Sequence, residues 1–306
     1  MKHLILITIV FINFTFKGYS QTKNDVFNKA NTILFLGDSI TYHGHYITFL
    51  EAYLSIKYPD QAFQFINLGL SSETVSGLSE ANHAKGKFPR PDLHERLDRI
   101  LNKTKPDLVF ACYGMNDGIY LPFNNSRFSS FKNGINWLHY KIDQINVPII
   151  HLTPPNYDKD KAYTTVLDIY SNWLLSKQYS ANWKVIDLHW PMQDFLDQKR
   201  KTDPSFFLAK DGIHPNKTGH WLMAKQILLY FDNNDVTNIY NPENAFNKMK
   251  NGLQILNLVD KHQNIMKHAW LTYTKHSRPN IKAGLPLADA KQKSEALKKE
   301  IKLLLK

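Results

Sequence analysis

Five short, largely apolar and β-rich runs recur through the first two-thirds of this chain: Thr32 to Leu36, Phe63 to Leu68, Asp107 to Tyr113, Val147 to Leu152 and Lys184 to Leu188. Runs of this kind, bounded by turn residues, mark strands covered on both faces, and such strands belong to parallel sheets. The stretches between them, around Ile47 to Ile56, Leu93 to Leu101, Phe131 to Ile145 and Ala162 to Leu175, space their apolar residues at the helical period. Alternating strands and helices predict an α/β fold, an open three-layer α/β/α sandwich with right-handed crossovers. With 306 residues, 43% of them hydrophobic, the chain exceeds one such domain of about 200 residues. An appendage is therefore expected.

The surplus lies at both ends. Lys2 and His3 precede an apolar run, Leu4 to Phe14, that is too short to span a bilayer, and Gly18-Tyr19-Ser20 then offers small residues for a cleavage site. The expectation is a secretory signal peptide over 1–20, cut after Ser20, and a periplasmic or secreted protein with no stable membrane anchor. An uncleaved anchor fits less well, because Asn13 and Thr15 interrupt the run and Lys17 ends it. At the other end, Asp232-Asn233-Asn234-Asp235 reads as a polar linker, followed by two helical stretches, Pro242 to Thr274 and Leu287 to Leu305. Residues 21–232 are expected to form the main domain and 233–306 a helical appendage. Leu253, Ile255, Leu256, Leu258, Ile265, Trp270 and Leu271 are too many apolar residues for a free tail, so the appendage should pack on the domain.

Cys112 is the only cysteine, so no internal disulfide is available, and its place inside an apolar run makes it a buried strand residue. The net charge of +11 favours acidic partners in general. The lysines of the C-terminal stretch interleave with Glu295 and Glu300, as on a solvated helix face, and no nucleic-acid motif accompanies them. No nucleic-acid partner is expected.

Three segments carry chemistry, and each falls beyond the carboxyl end of a strand or in a loop before a helix, where open α/β sheets bind ligands. Gly37-Asp38-Ser39-Ile40-Thr41 follows the first strand, and Ser39 there is either a nucleophile or the N-cap of the next helix. In Asp211-Gly212-Ile213-His214-Pro215-Asn216, a carboxylate three residues before a histidine can fold back to hold its tautomer. The rival reading is an ordinary turn with Asn216 capping the last helix. Gly69, past the second strand, and Asn116, in Gly114-Met115-Asn116-Asp117 past the third, are candidate oxyanion donors together with the Ser39 N–H. Each is also an unremarkable turn residue by itself.

In this order the blocks Gly37 to Thr41, Asn67-Leu68-Gly69, Gly114 to Asp117 and Asp211 to Asn216 resemble those of the SGNH hydrolases, also called GDSL esterases and lipases, over about residues 30 to 231. The resemblance implies a flavodoxin-like five-stranded sheet of order 2-1-3-4-5. It also implies Ser39 as nucleophile, His214 as base, Asp211 as its partner, an oxyanion hole of Ser39, Gly69 and Asn116, and no cofactor or metal. Pro106-Asp107-Leu108-Val109, Thr153-Pro154-Pro155, Arg278-Pro279 and Gly284-Leu285-Pro286-Leu287 are similar to exported bacterial members associated with carbohydrate breakdown.

The function expected is a serine esterase that removes small acyl groups, acetyl foremost, from a small-molecule or carbohydrate ester through an acyl-enzyme. The alternatives are a lipase, lysophospholipase or thioesterase, which would need a greasier loop than the polar Ser79 to Pro91, and a non-catalytic carbohydrate-binding protein on the same fold. His43 and His45 lack companions for a metal site and are expected at the rim. Asp187 and His189 suit a strand-end turn. Tyr113, Tyr120, Trp190 and Phe206-Phe207 are either a substrate platform or packing, and Arg278 either reaches the rim or caps structure.

Overall fold

A computed structural model describes residues 29–306, and the expected signal peptide lies outside them. The apolar runs become β1 (Thr32–Gly37), β2 (Gln64–Asn67), β3 (Leu108–Cys112), β4 (Ile149–Leu152) and β5 (Lys184–Ile186), all parallel, in the order 2-1-3-4-5. β1 is an interior strand, between β2 and β3, with Ile33, Leu34, Phe35 and Leu36 fully buried, because helices cover both faces of the sheet. Phe35 stacks between Phe65 of β2 and Phe110 of β3, with centroids 5.7 and 5.0 Å away. Cys112 is free and buried, as its apolar run predicts.

The helices of the sandwich are α1 (Ser39–His43), α2 (His45–Lys57), α3 (Leu97–Thr104), α4 (Asn125–Asp143), α5 (Lys161–Ser180), α6 (His189–Arg200) and α7 (Lys217–Tyr230). Gly44 separates α1 from α2 at φ +72°, and a side chain there would meet the Asn67 amide at 2.3 Å. The hinge lets the short α1 carry Ser39 across the sheet rim while α2 turns back to pack on α7.

The C-terminal segment differs from expectation in one respect. The stretch 242–274 is two helices, α8 (Pro242–Phe246) and α9 (Gly252–Thr274), broken where Asn251 adopts a left-handed conformation at φ +55°. Asparagine tolerates that region, and helical periodicity alone does not register the break. α9 lies against α2 and the edge strand β2, and α10 (Leu287–Leu305) packs on α9. Gln263 of α9 donates to the Glu51 carboxyl on α2 and to the Phe65 carbonyl on β2. His262 stands 3.5 Å from Glu51 and 2.8 Å from Ser294 of α10. No helix among the described residues is long and apolar enough to cross a membrane.

Candidate active site

The chain leaves β1 at Gly37 and enters α1 at once. The cap is Asp38, whose Oδ1 accepts from Ile40 N at 2.9 Å, so Ser39 is the first helical residue and its hydroxyl is spared that duty. Burial pushes the Asp38 carboxyl up to about 7 against the Ile40 hydrogen bond, and the nearby Asp117 and Glu73 add to the rise. The Ser39 Oγ–H points at His214 Nε2, 2.9 Å away across 175 residues of sequence.

His214 Nδ1 donates to Asp211 Oδ2 at 2.6 Å, while Asp211 Oδ1 accepts from the backbone N–H groups of Ile213 and His214 at 3.0 and 2.8 Å. Partial burial pushes the Asp211 carboxyl up, but the hydrogen bonds from the His214 ring and these two backbone groups outweigh it and hold it at about 2. Asp211 is thus an anion over the whole working pH range, and it fixes the ring so that Nε2 is the acceptor facing Ser39. Asn216 does cap α7, through Gly219 N. The turn reading and the acid–base reading describe the same segment.

The oxyanion donors expected around Ser39 differ in their freedom. Ser39 N–H has no partner among the described residues. Asn116 Nδ2 gives one hydrogen to the Glu73 carbonyl at 3.2 Å, and its Oδ1 accepts from Tyr120 Oη at 3.0 Å, so the amide is oriented with its second N–H unspent. Gly69 N–H already donates to Asn67 Oδ1 at 2.9 Å, and joins the hole only by sharing or releasing that bond. Gly69 packs so tightly that a Cβ would lie 2.4 Å from Tyr42 N and 2.5 Å from Thr41 C, both in α1.

A buried network that local sequence patterns do not reveal holds these loops. Asp117 Oδ1 accepts from Val75 N and Ser76 N at 2.9 and 2.8 Å, tying the loop after β3 to the loop after β2. Glu73 takes a two-pronged grip from Arg96 at 2.6 and 2.7 Å and a third bond from Tyr113 Oη at 2.7 Å, and Arg96 also holds the Leu68 carbonyl. Arg96 and Glu73 are 1% and 0% exposed, so removing either would strand a buried charge, at a cost of about 3–5 kcal/mol. Tyr113 is thereby a core residue, and Tyr120 an orienting one that packs on Tyr163 beneath Arg90. The main chain at Ile119 and Tyr120 adopts φ +50° and +55°, unusual for such side chains, and such strain gathers at functional loops.

Of the remaining candidates only His43 borders the Ser39–His214 contact. His43 is exposed and sets its ring against His214 at 5.1 Å, and His45 stands 4.0 Å from Asp260. His189 pairs with Asp168 at 2.8 Å, while Asp187 accepts from Thr153. Trp190 bonds Asn172, and Phe207 is exposed. No group of three or more metal-ligating side chains occurs among the described residues.

Residues 35–222 match the family model of the GDSL-like lipase/acylhydrolases. The chain belongs to this family. As a GDSL-like hydrolase it is a serine enzyme acting on carboxylic esters. An acetylxylan esterase of Geobacillus stearothermophilus is 24% identical over 220 residues, covering 64% of this chain and 91% of that one. The crystal structure of such an acetylxylan esterase from that organism superimposes with a TM-score of 0.52 at 21% identity, over 66% of this chain and 94% of the other. A gut microbial diltiazem-metabolizing enzyme gives 0.55 at 20% identity over 67% of this chain, which spans about half of it (47%). These structural likenesses concern the GDSL fold.

Proposed function

We propose that this GDSL-family enzyme is an exported esterase that removes small acyl groups, acetyl foremost, from a carbohydrate or glycoside, with Ser39, His214 and Asp211 as its triad. The observation that carries the reading is the continuous hydrogen-bond chain from Ser39 Oγ through His214 to Asp211 at 2.9 and 2.6 Å. His214 Nε2 takes the hydroxyl proton as Oγ attacks the ester carbonyl, and the Asp211 carboxylate stabilises the imidazolium. The oxyanion of the tetrahedral intermediate is received by Ser39 N–H, the unspent N–H of Asn116 and Gly69 N–H once Asn67 shares it. His214 then protonates the leaving alkoxide, giving the alcohol and an acyl-Ser39. A water, deprotonated by the same nitrogen, releases the acid.

A small acyl group is supported by the acetylxylan esterase relative and by the character of the loop 79–91. Within that loop Arg90 grips Glu80 at 2.6 and 2.7 Å and lays its guanidinium over the Tyr120 ring. The test is a panel of p-nitrophenyl esters of rising chain length together with acetylated xylosides, with fluorophosphonate labelling of wild type and Ser39→Ala. Turnover should be greatest for acetyl and vanish with labelling in Ser39→Ala. Labelling of that variant at an unchanged rate would overturn the assignment of the nucleophile, and a preference for long chains would transfer the enzyme to the lipase reading.

A further inference from the structure

Beside Ser39 the surface carries two cations without an ion-pair partner among the described residues, and the C-terminal segment brings both of them there. Arg278, in the connection between α9 and α10, donates from Nε to the Ser71 carbonyl at 2.7 Å, two residues beyond Gly69, and from Nη1 to the Pro279 carbonyl at 3.1 Å. Its guanidinium carbon stands 5.5 Å from the centroid of Phe88. Burial pushes the phenol of Tyr42, one helical turn beyond Ser39, up, and Arg278 is near enough for its charge to offset part of that rise. Lys267 of α9 reaches the same place, with Nζ on the Tyr42 carbonyl at 2.8 Å and 4.7 Å from the Tyr42 ring centroid. His268 adds its ring at 6.0 Å.

Among the described residues no carboxylate lies within ion-pair distance of Arg278 or Lys267. Of the acids nearby, Glu80 is committed to Arg90, while Asp260 favours the charge on Lys267 from beyond ion-pair distance. Both cations are partly withdrawn from water, and burial pushes the Lys267 ammonium down to about 8. A partly desolvated guanidinium without a counter-ion is unfavourable, yet two carbonyls and an aromatic ring hold this one still with Nη2 unspent. A planar fork so placed suits an oxyanion.

We infer that Arg278, assisted by Lys267, forms an anion-binding subsite beside Ser39, so that the preferred ester is carried by a molecule bearing an anionic oxyacid group, a carboxylate or a phosphate. The inference rests on the esterase reading. It makes the C-terminal segment a wall of the substrate cleft as well as a brace for the sandwich.

The experiment measures kcat and KM of the full chain, Arg278→Gln and Arg278→Lys on three acetylated pyranosides: neutral methyl xyloside, methyl glucuronoside and methyl glucoside 6-phosphate. The wild type should prefer an anionic probe over the neutral one. In Arg278→Gln that ratio of kcat/KM should drop by about tenfold or more, through KM rather than kcat, and Arg278→Lys should recover part of it. Added salt should erode the preference. Preference for the uronoside alone identifies a carboxylate, and for the phosphate alone a phosphate. Equal use of all three probes by wild type, or an equal loss on all three in Arg278→Gln, would overturn the subsite. If no ester is turned over, the esterase reading fails by itself. Calorimetric binding of methyl glucuronoside and inorganic phosphate to wild type and Arg278→Gln still decides the subsite, and binding that is absent or unaffected by the substitution removes it.

Discussion

Replacing Gly69 by alanine tests the joint between the proposed oxyanion loop and the proposed nucleophile without deleting any hydrogen-bond donor. The new methyl would lie 2.4 Å from Tyr42 N, 2.5 Å from Thr41 C and 2.8 Å from Thr41 Cβ, and two of these neighbours are backbone atoms of the helix that begins at Ser39. Ordinary contact needs about 1 Å more, and neither loop nor helix can supply it by a rotamer change. Forcing a methylene-sized group into such packing costs about 1–3 kcal/mol. A displacement near 1 Å between reacting groups costs roughly a hundredfold in rate. We therefore expect Gly69→Ala to fold, to lose about 1–3 kcal/mol in urea titrations, and to drop roughly a hundredfold in kcat/KM on p-nitrophenyl acetate. Because alanine keeps the N–H, a loss of this size has to come from geometry. If stability falls while kcat/KM stays within about threefold of wild type, the reasoning that couples Gly69 to Ser39 through α1 is refuted.

Asn116→Ala removes a donor proposed to act chiefly in the transition state, so kcat and kcat/KM should fall together by about a hundredfold or more with KM little changed, as steady-state kinetics will show. A risen KM at constant kcat would make Asn116 a substrate-positioning residue. His214→Ala should lose nearly all turnover whereas His189→Ala, whose ring is committed to Asp168, should keep most of it; the reverse pattern dismantles the triad. Burial pushes the Glu51 carboxyl up to about 7, against the Gln263 hydrogen bond, and pushes His262 down to about 4. Between the ordinary glutamate value and about 7 the unfolded chain releases a proton that folded Glu51 keeps, so stability contributed here is lost as pH rises through that window. Glu51→Gln should accordingly melt ever higher relative to wild type between pH 5 and 8, and a pH-independent difference in melting temperature would show that Glu51 ionises normally.

Much of the sheet was legible because its strands are buried on both faces, which leaves a local apolar signature in each of the five runs. The four blocks around Ser39, Gly69, Asn116 and His214 were legible because their residue types are few and their order along a parallel sheet determines which rim they share. What escaped is the work of neighbours distant in sequence or shifted by one place. The cap belongs to Asp38 and not to Ser39, a one-residue matter that propensity does not resolve. Glu73 meets Arg96 and Tyr113 at separations of 23 and 40 residues, Asp117 reaches back to Val75, and Arg278 reaches Ser71 across 207 residues. Only the packed fold creates those pairs. The break between α8 and α9 depends on a single backbone conformation at Asn251.

The 175-residue separation of Ser39 and His214 has a consequence for the chain as it is made. β5 ends at Ile186, so a growing polypeptide has every strand of its sheet in hand before the Asp211–His214 loop exists. Synthesis proceeds from the N-terminus at about 5–20 residues per second, and domains fold as units. A nascent chain halted anywhere between those points carries a complete set of strands and a Ser39 without its His214 partner. The proposed nucleophile is laid down just after the first strand and armed only after the last.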